Sequence, residues 1–231
     1  MILLNFQEAL LSKMAISIYF ISGLGADRRA FRKLVFPESF NIVHLDWISP
    51  ENNESLKSYA SRLASHIDSS SPFYLVGLSF GGMLATEIAK QLNPIHTFLI
   101  SSTPTFKELP WYYRMAGNLS LQKLLPTGLL KTNNNLGLRF LGAKSDEERK
   151  LLRQLVLDSD PYFIKWALTC ILTWRNTERP LNMTHIHGTT DNILPIRFTV
   201  RPDHIVKGGG HFMVYGNAKE IMEIINFQIT N

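Results

Sequence analysis

The feature that most constrains the fold is the pentapeptide Gly-Leu-Ser-Phe-Gly at residues 77–81, which separates an apolar run from a helix-like segment. The run before it, 73–76, reads Phe-Tyr-Leu-Val and is typical of a buried strand, whereas residues 82–92 are typical of a helix. In the order strand, sharp turn, helix, the middle Ser79 takes a strained backbone conformation, and the flanking glycines avoid clashes that a Cβ would cause. The sequence therefore predicts that the Ser79 hydroxyl is held out at a strand end.

An aspartate and a histidine follow at the ends of two later predicted strands. Residues 183–188 read as a strand that runs into a turn with Asp191, and residues 203–207 read as a strand before a triple-glycine loop that ends at His211. Together with the motif at Ser79, this order of serine, acid and histidine resembles the α/β-hydrolase family. The resemblance covers nearly the whole chain. It implies that Ser79 is the nucleophile, His211 the base and Asp191 the acid that orients the base.

These three residue types suit acyl transfer. Serine is a weak nucleophile until a neighbouring base takes its proton, and an imidazole is suited to that role because it titrates near neutrality. A carboxylate can hold the imidazole in the required tautomer and stabilise the imidazolium that forms.

The resemblance also implies two backbone N–H donors for the oxyanion that develops during acyl transfer. One is the N–H of Phe80, at the start of the helix after the serine, and the other is the N–H of Leu24, in the loop 22–25 after the first predicted strand. Many relatives carry His-Gly where this chain has Ser-Gly at the start of that loop. The backbone donor is unaffected, but the hydrogen bonding that fixes the loop must differ.

Other residues compete for the roles of base and acid. His185, His187 and His204 lie near strand ends, where a histidine is more often a surface residue or a satisfied core residue than a base. Asp191 has an alternative role in an Asx turn. Some relatives carry the acid after the strand that follows the elbow helix, but residues 101–104 read Ser-Ser-Thr-Pro and contain no carboxylate.

Strand and helix signals alternate along most of the chain, which predicts an α/β fold with a mostly parallel, twisted sheet flanked by helices. In residues 55–67 the apolar positions recur at i, i+3, i+4 and i+7, so this helix should pack one face on the sheet. Strands are predicted at 16–21, 41–47, 73–78, 95–101, 183–188 and 203–207, and helices near 26–35, 54–69, 81–92 and 217–228. Before residue 16 only residues 2–4 could form a strand, so we expect a reduced version of the family's sheet.

The alternation breaks after the strand that follows the elbow helix. The chain is therefore predicted to comprise a first part of the hydrolase core at 1–103, a helical cap at 104–180 and a second part of the core at 181–231. Helical pieces are predicted in the cap near 110–124, 127–131, 135–141, 146–157 and 161–174.

In the family an insertion at this point is a lid over the active site. Three of its aromatic residues are predicted to bind substrate: Trp111, Tyr112 and Trp166. The competing interpretation is that such aromatics only pack the cap on the core.

Composition and charge argue against several other classes of protein. A chain of 231 residues with 45% hydrophobic content can bury a sizeable core. The formal charge of +5 is carried by scattered basic residues without the signature of a nucleic-acid-binding module, so no nucleic acid partner is predicted. No clustered His, Cys, Asp or Glu set has metal-ligand spacing, so neither a metal nor another cofactor is expected.

The remaining signals concern location. The single cysteine, Cys170, cannot form an intramolecular disulfide and lies in an apolar stretch, which favours a buried thiol. Residues 1–14 lack the basic start and the cleavage site of a signal peptide, and no run reaches the length of a membrane span. We expect a cytoplasmic protein without integral membrane contact, whose start is either Met1 or Met14.

The function expected from these features is hydrolysis of a small-molecule ester or thioester through an acyl-enzyme. Two alternatives stay open. One is a lyase or carbon–carbon bond hydrolase that uses the same triad for proton transfer, and the other is a receptor that binds a small ligand on the same fold. The sequence predicts neither the acyl chain nor the alcohol or thiol, and it leaves the oligomeric state open.

Overall fold

Six parallel strands form one sheet in a computed structural model that describes residues 15–120 and 135–230. The strands are β1 (Ile16–Ile21), β2 (Phe40–Leu45), β3 (Phe73–Leu78), β4 (His96–Ile100), β5 (Met183–Gly188) and β6 (His204–Val206). Their spatial order is β2-β1-β3-β4-β5-β6, and every neighbouring pair is parallel. The predicted parallel sheet is confirmed.

The helices lie on both faces of this sheet and in the insertion between β4 and β5. They are α1 (Leu56–Ala64), α2 (Phe80–Leu92), α3 (Trp111–Asn118), α4 (Asn135–Phe140), α5 (Asp146–Asp158), α6 (Pro161–Thr173), α7 (Met213–Gly216) and α8 (Ala218–Thr230). The possible strand at 2–4, the helix near 127–131 and the last residues of the helix near 110–124 lie outside the described residues.

One predicted helix is much shorter than expected. The segment 26–35 forms only a single 3-10 turn, Arg28–Phe31. Asp27 caps this turn by accepting a hydrogen bond from the backbone of Arg29, and the buried Phe31 anchors it on the sheet. The chain continues from Arg32 to the start of β2 at Phe40 without further helix.

Two apolar clusters hold helices on opposite faces of the sheet. The first includes Leu75 of β3, Leu63 of α1 and Leu84 of α2, together with the cap residue Phe163. The second includes Val76 of β3, alongside residues of α4, α5, α7 and α8. Side chains of successive strand residues point to opposite faces, so neighbouring positions of β3 serve different clusters. The fully apolar β3 is therefore buried on both sides, as its sequence predicts.

The strand order brings the functional loops together. β1 and β3 are neighbours in space although β2 lies between them in sequence, and β3 is followed across the sheet by β4, β5 and β6. In parallel sheets ligands bind outside the carboxyl ends of the strands, where the strand order reverses. The loop after β1, the turn after β3 and the loops after β5 and β6 all lie at this edge.

Candidate active site

Ser79 occupies a strained turn between β3 and α2. Its backbone has φ 52° and ψ −118°, a combination that residues other than glycine rarely adopt. The turn is fixed by a hydrogen bond from the Ser79 N–H to the carbonyl of Ile100 at 2.9 Å, and the Ser102 hydroxyl donates to the Ser79 carbonyl at 2.6 Å. A Cβ at Gly81 would overlap the carbonyl oxygens of Ile21 and Ser22, so only glycine allows the turn to approach the end of β1.

The structure brings Ser79, His211 and Asp191 into one hydrogen-bonded chain. His211 Nε2 lies 2.8 Å from the Ser79 hydroxyl oxygen, and His211 Nδ1 lies 2.8 Å from Asp191 Oδ2. A carboxylate can only accept, so His211 carries its proton on Nδ1 and presents a lone pair to the serine. This is the arrangement in which an imidazole can take the proton of an attacking hydroxyl.

Asp191 is held and kept ionised by its surroundings. Its Oδ1 accepts hydrogen bonds from the N–H groups of Ile193 and Leu194, both at 2.9 Å, and the residue is 4% exposed. Burial alone would raise the pKa of Asp191, but the facing His211 and the hydrogen bonds outweigh it and hold the pKa below its usual value. The Asx turn considered for this residue is therefore present together with the contact to His211.

The histidine loop packs directly against the helical insertion between β4 and β5. Gly142, between α4 and α5, has φ +93°, and a Cβ there would lie 2.7 Å from the His211 N–H nitrogen. Only a glycine combines that backbone conformation with so close an approach. The position of His211 is therefore coupled to the helical insertion as well as to β6.

Leu24 and Phe80, whose N–H groups are the predicted oxyanion donors, line the same cavity as Ser79. Within the described residues, neither the N–H of Leu24 nor that of Phe80 donates a hydrogen bond. The loop that carries Leu24 is fixed by Ser22, whose hydroxyl donates to the carbonyl of Ala26 at 2.8 Å, and by the Ala26 N–H, which donates to Gly23 at 2.9 Å. Ser22 therefore fixes this loop with a hydrogen bond of its own.

An apolar cavity of about 470 Å³ opens onto Ser79 and His211. The cap contributes Tyr113 and Ala116 from α3, Leu152 from α5 and Leu172 from α6 to its wall. Among the described residues that line it there is no Asp, Glu, Lys or Arg. The site therefore offers a neutral, apolar compartment next to a single hydrogen-bonded triad.

The three aromatic residues predicted to bind substrate do not line this cavity. Trp111 is 56% exposed at the start of α3, and Tyr112 packs edge-on against Phe198. Trp166 donates its indole N–H to the carbonyl of Glu54 at 2.9 Å and joins the α6 face that packs on α1. Tyr112 and Trp166 therefore contact residues outside the helical insertion, Trp111 is largely exposed, and substrate binding by the three residues stays a prediction that this cavity does not support. Tyr113 faces the cavity instead, and its hydroxyl donates to the carbonyl of Ile193 at 3.0 Å.

His185, His187 and the Cys170 thiol have hydrogen-bond partners other than the serine hydroxyl. His185 and His187 are fully buried on β5, and Asp203 accepts a hydrogen bond from the backbone of His185 at 2.7 Å. Cys170 is buried, and burial raises the pKa of its thiol to about 12, so it remains protonated. Across residues 15–120 and 135–230, no three His, Cys, Asp or Glu side chains converge as metal ligands would. Within the same residues no helix is long and apolar enough to cross a membrane.

Comparisons with known proteins agree with this architecture. The profile of the alpha/beta hydrolase family matches residues 18–224. No protein of curated function matches the chain. Among solved structures, MenH from S. aureus superposes with a TM-score of 0.72 at 16% identity, covering 94% of each chain.

Two further solved structures share the fold at similarly low identity. A lipase-esterase related protein from Clostridium acetobutylicum gives a TM-score of 0.69 at 19% identity, covering 93% of this chain and 95% of its own. A thermophilic esterase from Thermogutta terrifontis gives 0.61 at 15% identity, covering 95% and 91%. At such identities the likeness concerns the fold alone, whereas the family profile spans most of the sequence. The chain belongs to the α/β hydrolase family.

Proposed function

We propose that this protein is a serine hydrolase that cleaves a small, uncharged ester or thioester through an acyl-enzyme. The observation that carries the proposal is the chain of two 2.8 Å hydrogen bonds from Ser79 through His211 to Asp191, at the wall of an apolar cavity. Esterase and lipase-esterase names among proteins of the same fold are consistent with it.

The reaction proceeds in two halves. His211 takes the proton of Ser79 as the hydroxyl oxygen attacks the carbonyl carbon, and the N–H groups of Leu24 and Phe80 stabilise the oxyanion. His211 then gives its proton to the leaving alcohol or thiol, which leaves Ser79 acylated. His211 then takes a proton from a water molecule as its oxygen attacks the acyl carbon, and it gives that proton to the Ser79 oxygen as the bond to the acyl group breaks and the acid leaves. Throughout, Asp191 holds the imidazole in its Nδ1–H tautomer and stabilises the imidazolium.

The cavity supports a neutral acyl group as the part bound under the cap. A buried carboxylate or ammonium would need a partner of opposite charge, and the described lining residues supply none. This favours an ester of an apolar acid over a multiply charged substrate. The composition of the cavity wall gives no specific support to the lyase or receptor alternatives.

A fluorophosphonate probe and p-nitrophenyl esters of increasing chain length test the proposal. We expect covalent labelling of Ser79, a burst of p-nitrophenol equal to the enzyme concentration, and better hydrolysis of apolar medium-length esters than of charged ones. Ser79→Ala should abolish labelling and turnover while leaving the unfolding temperature near that of the wild type, since the hydroxyl is partly exposed. Retention of most activity in this variant would exclude Ser79 as the nucleophile. Stoichiometric ligand binding without turnover would favour the receptor.

A further inference from the structure

Two buried histidines lie directly behind the acid of the candidate triad. His187 Nε2 is 2.7 Å from the carbonyl oxygen of Leu194 and 3.7 Å from Asp191 Oδ2. His187 Nδ1 is 3.1 Å from His185 Nε2, which is itself 3.0 Å from the carbonyl oxygen of Ser102. Both rings are inaccessible to solvent. The pair therefore bridges the segment behind the elbow and the turn that carries Asp191.

The acceptors in this chain fix the tautomers of both rings. A carbonyl oxygen cannot donate, so His187 carries a proton on Nε2 to bond Leu194, and His185 carries one on Nε2 to bond Ser102. The remaining Nδ1 of a neutral His187 is then a lone pair, and it can accept from the shared Nε2–H of His185. In this arrangement both ring nitrogens of His187 have a partner, whereas Nδ1 of His185 is buried without a partner among the described residues.

The same geometry opposes protonation of His187. A proton on His187 Nδ1 would meet the Nε2–H of His185 at a separation of 3.1 Å between the nitrogens. Burial lowers the pKa of His187, although Asp191 acts in the opposite direction, and burial also lowers the pKa of His185, with His187 and Arg179 adding to the effect. Of the other charged and titratable groups, Asp203 accepts a hydrogen bond from the His185 backbone, and His211, on the far side of Asp191, adds to the lowering of the pKa of His187.

The neutral pair connects to the triad through Leu194. The carbonyl of Leu194 accepts from His187, while the N–H of Leu194 donates to Asp191 Oδ1 at 2.9 Å. His187 therefore restrains the turn that aims Asp191 Oδ2 at His211. In the fixed tautomer it also turns an N–H, not a lone pair, towards the carboxylate.

We infer that His187, with its tautomer fixed by His185, is a positioning residue that holds Asp191 in register with His211. This inference rests on the proposed hydrolase function. Because His187 stays neutral, the imidazolium that forms on His211 during turnover is the cation that Asp191 stabilises. His187 itself does not contact the substrate cavity.

A double-mutant cycle with a rescue variant tests this role. His187→Met removes the N–H donor, and we expect kcat for an activated ester to fall about tenfold with little change in KM. His187→Gln keeps an N–H donor near the position of Nε2 and should recover most of that loss. In the Asp191→Asn background, His187→Met should change kcat less than about twofold, because the residue acts through Asp191. His96→Met is the matched control, since His96 bonds Thr184 away from the site.

Three kinetic results would overturn the inference: a similar loss from His187→Met in both backgrounds, no loss in the wild-type background, or a Gln variant as impaired as the Met variant. Wild-type protein that neither hydrolyses esters nor reacts with fluorophosphonate would instead count against the proposed function. The tautomers of the two histidines can be measured without any enzyme assay. Side-chain ¹⁵N NMR should find His185 and His187 as neutral Nε2–H tautomers from pH 5 to 8. An Nδ1–H or doubly protonated His187 would contradict the inference whatever the activity.

Discussion

At the scale of single residues, two aspartates differ in place and in role: Asp191 is buried in the turn after β5, whereas Asp203 is exposed just before the amino end of β6. Asp191 contacts His211 at 2.8 Å, whereas Asp203 contacts the backbone of His185. Asp191→Asn would present an amide that favours the wrong tautomer of His211, and we expect kcat to fall by roughly 10⁴-fold. Asp203→Asn keeps an oxygen that can accept the backbone bond, so kcat should stay within about twofold. Steady-state kinetics on both variants checks the assignment, and a silent Asp191→Asn with a damaging Asp203→Asn would show that the acid is wrong.

The sequence predicts the triad residues because each belongs to a local pattern, a strand end followed by a turn of recognisable composition. The partners behind them are not predictable in this way. Alternation along β5 places His185 and His187 on one face, but the contact with Ser102 and Leu194 depends on β4 and on the turn after β5. Such contacts between distant segments have no local signature.

At the scale of elements, the rotation of α3 decides which of its side chains meet the cavity. Trp111, Tyr112 and Tyr113 are consecutive, and each residue turns the helix by about 100°. The composition of α3 indicates that the helix carries aromatic side chains, but it does not indicate which of them face the cavity. The rotation is set where α3 crosses α6, since a Cβ at Gly117 would overlap the carbonyl of Leu172. For this reason Tyr113 lines the cavity and the predicted Trp111 does not.

The same rotation gives a test of the cap as the determinant of substrate size. Ala116 lines the cavity from α3, so Ala116→Phe should fill part of it. We expect kcat/KM for an octanoyl ester to fall at least about tenfold, while the value for an acetyl ester changes less than about twofold. The adjacent Met115 is 47% exposed, and Met115→Phe is the matched control that should keep the wild-type profile. Equal chain-length profiles in both variants would place the acyl group elsewhere.

At the scale of the whole molecule, alternating strand and helix signals suffice to predict a parallel sheet with helices on both faces. Strand lengths are predicted to within a few residues, since β3 and β5 have clear boundaries in turn residues. The spatial order β2-β1-β3 cannot be derived from the periodicity, because periodicity records which face of an element is buried and not which strand lies beside it. The segment 26–35, predicted as a helix, forms only one 3-10 turn, which its local pattern does not indicate.

Buried neutral histidines also make the stability of the whole fold sensitive to acid. Burial lowers the pKa of His185 to about 3, below the roughly 6.5 of an unfolded chain. Between these values the unfolded state binds the extra proton, so the free energy of unfolding must decrease as pH falls. One such histidine lowers the free energy of unfolding by up to about 1.4 kcal/mol per pH unit, or by about 2 kcal/mol between pH 7.5 and 5. His187 acts in the same direction.

Urea unfolding at pH 7.5 and pH 5.0 measures this effect. The wild type should lose stability between the two values, and His185→Met should lose less because it removes one titrating group, even if its stability at pH 7.5 is lower. His66 is exposed, so its ring meets solvent in the folded and unfolded states alike, and His66→Gln should keep the wild-type pH dependence. The change in the free energy of unfolding between the two pH values is taken within each variant. The effect of the substitution on stability at neutral pH is therefore subtracted. If His185→Met and the wild type showed the same pH dependence, His185 would take up its proton in the folded state. That result would contradict the neutral tautomers that the buried pair requires.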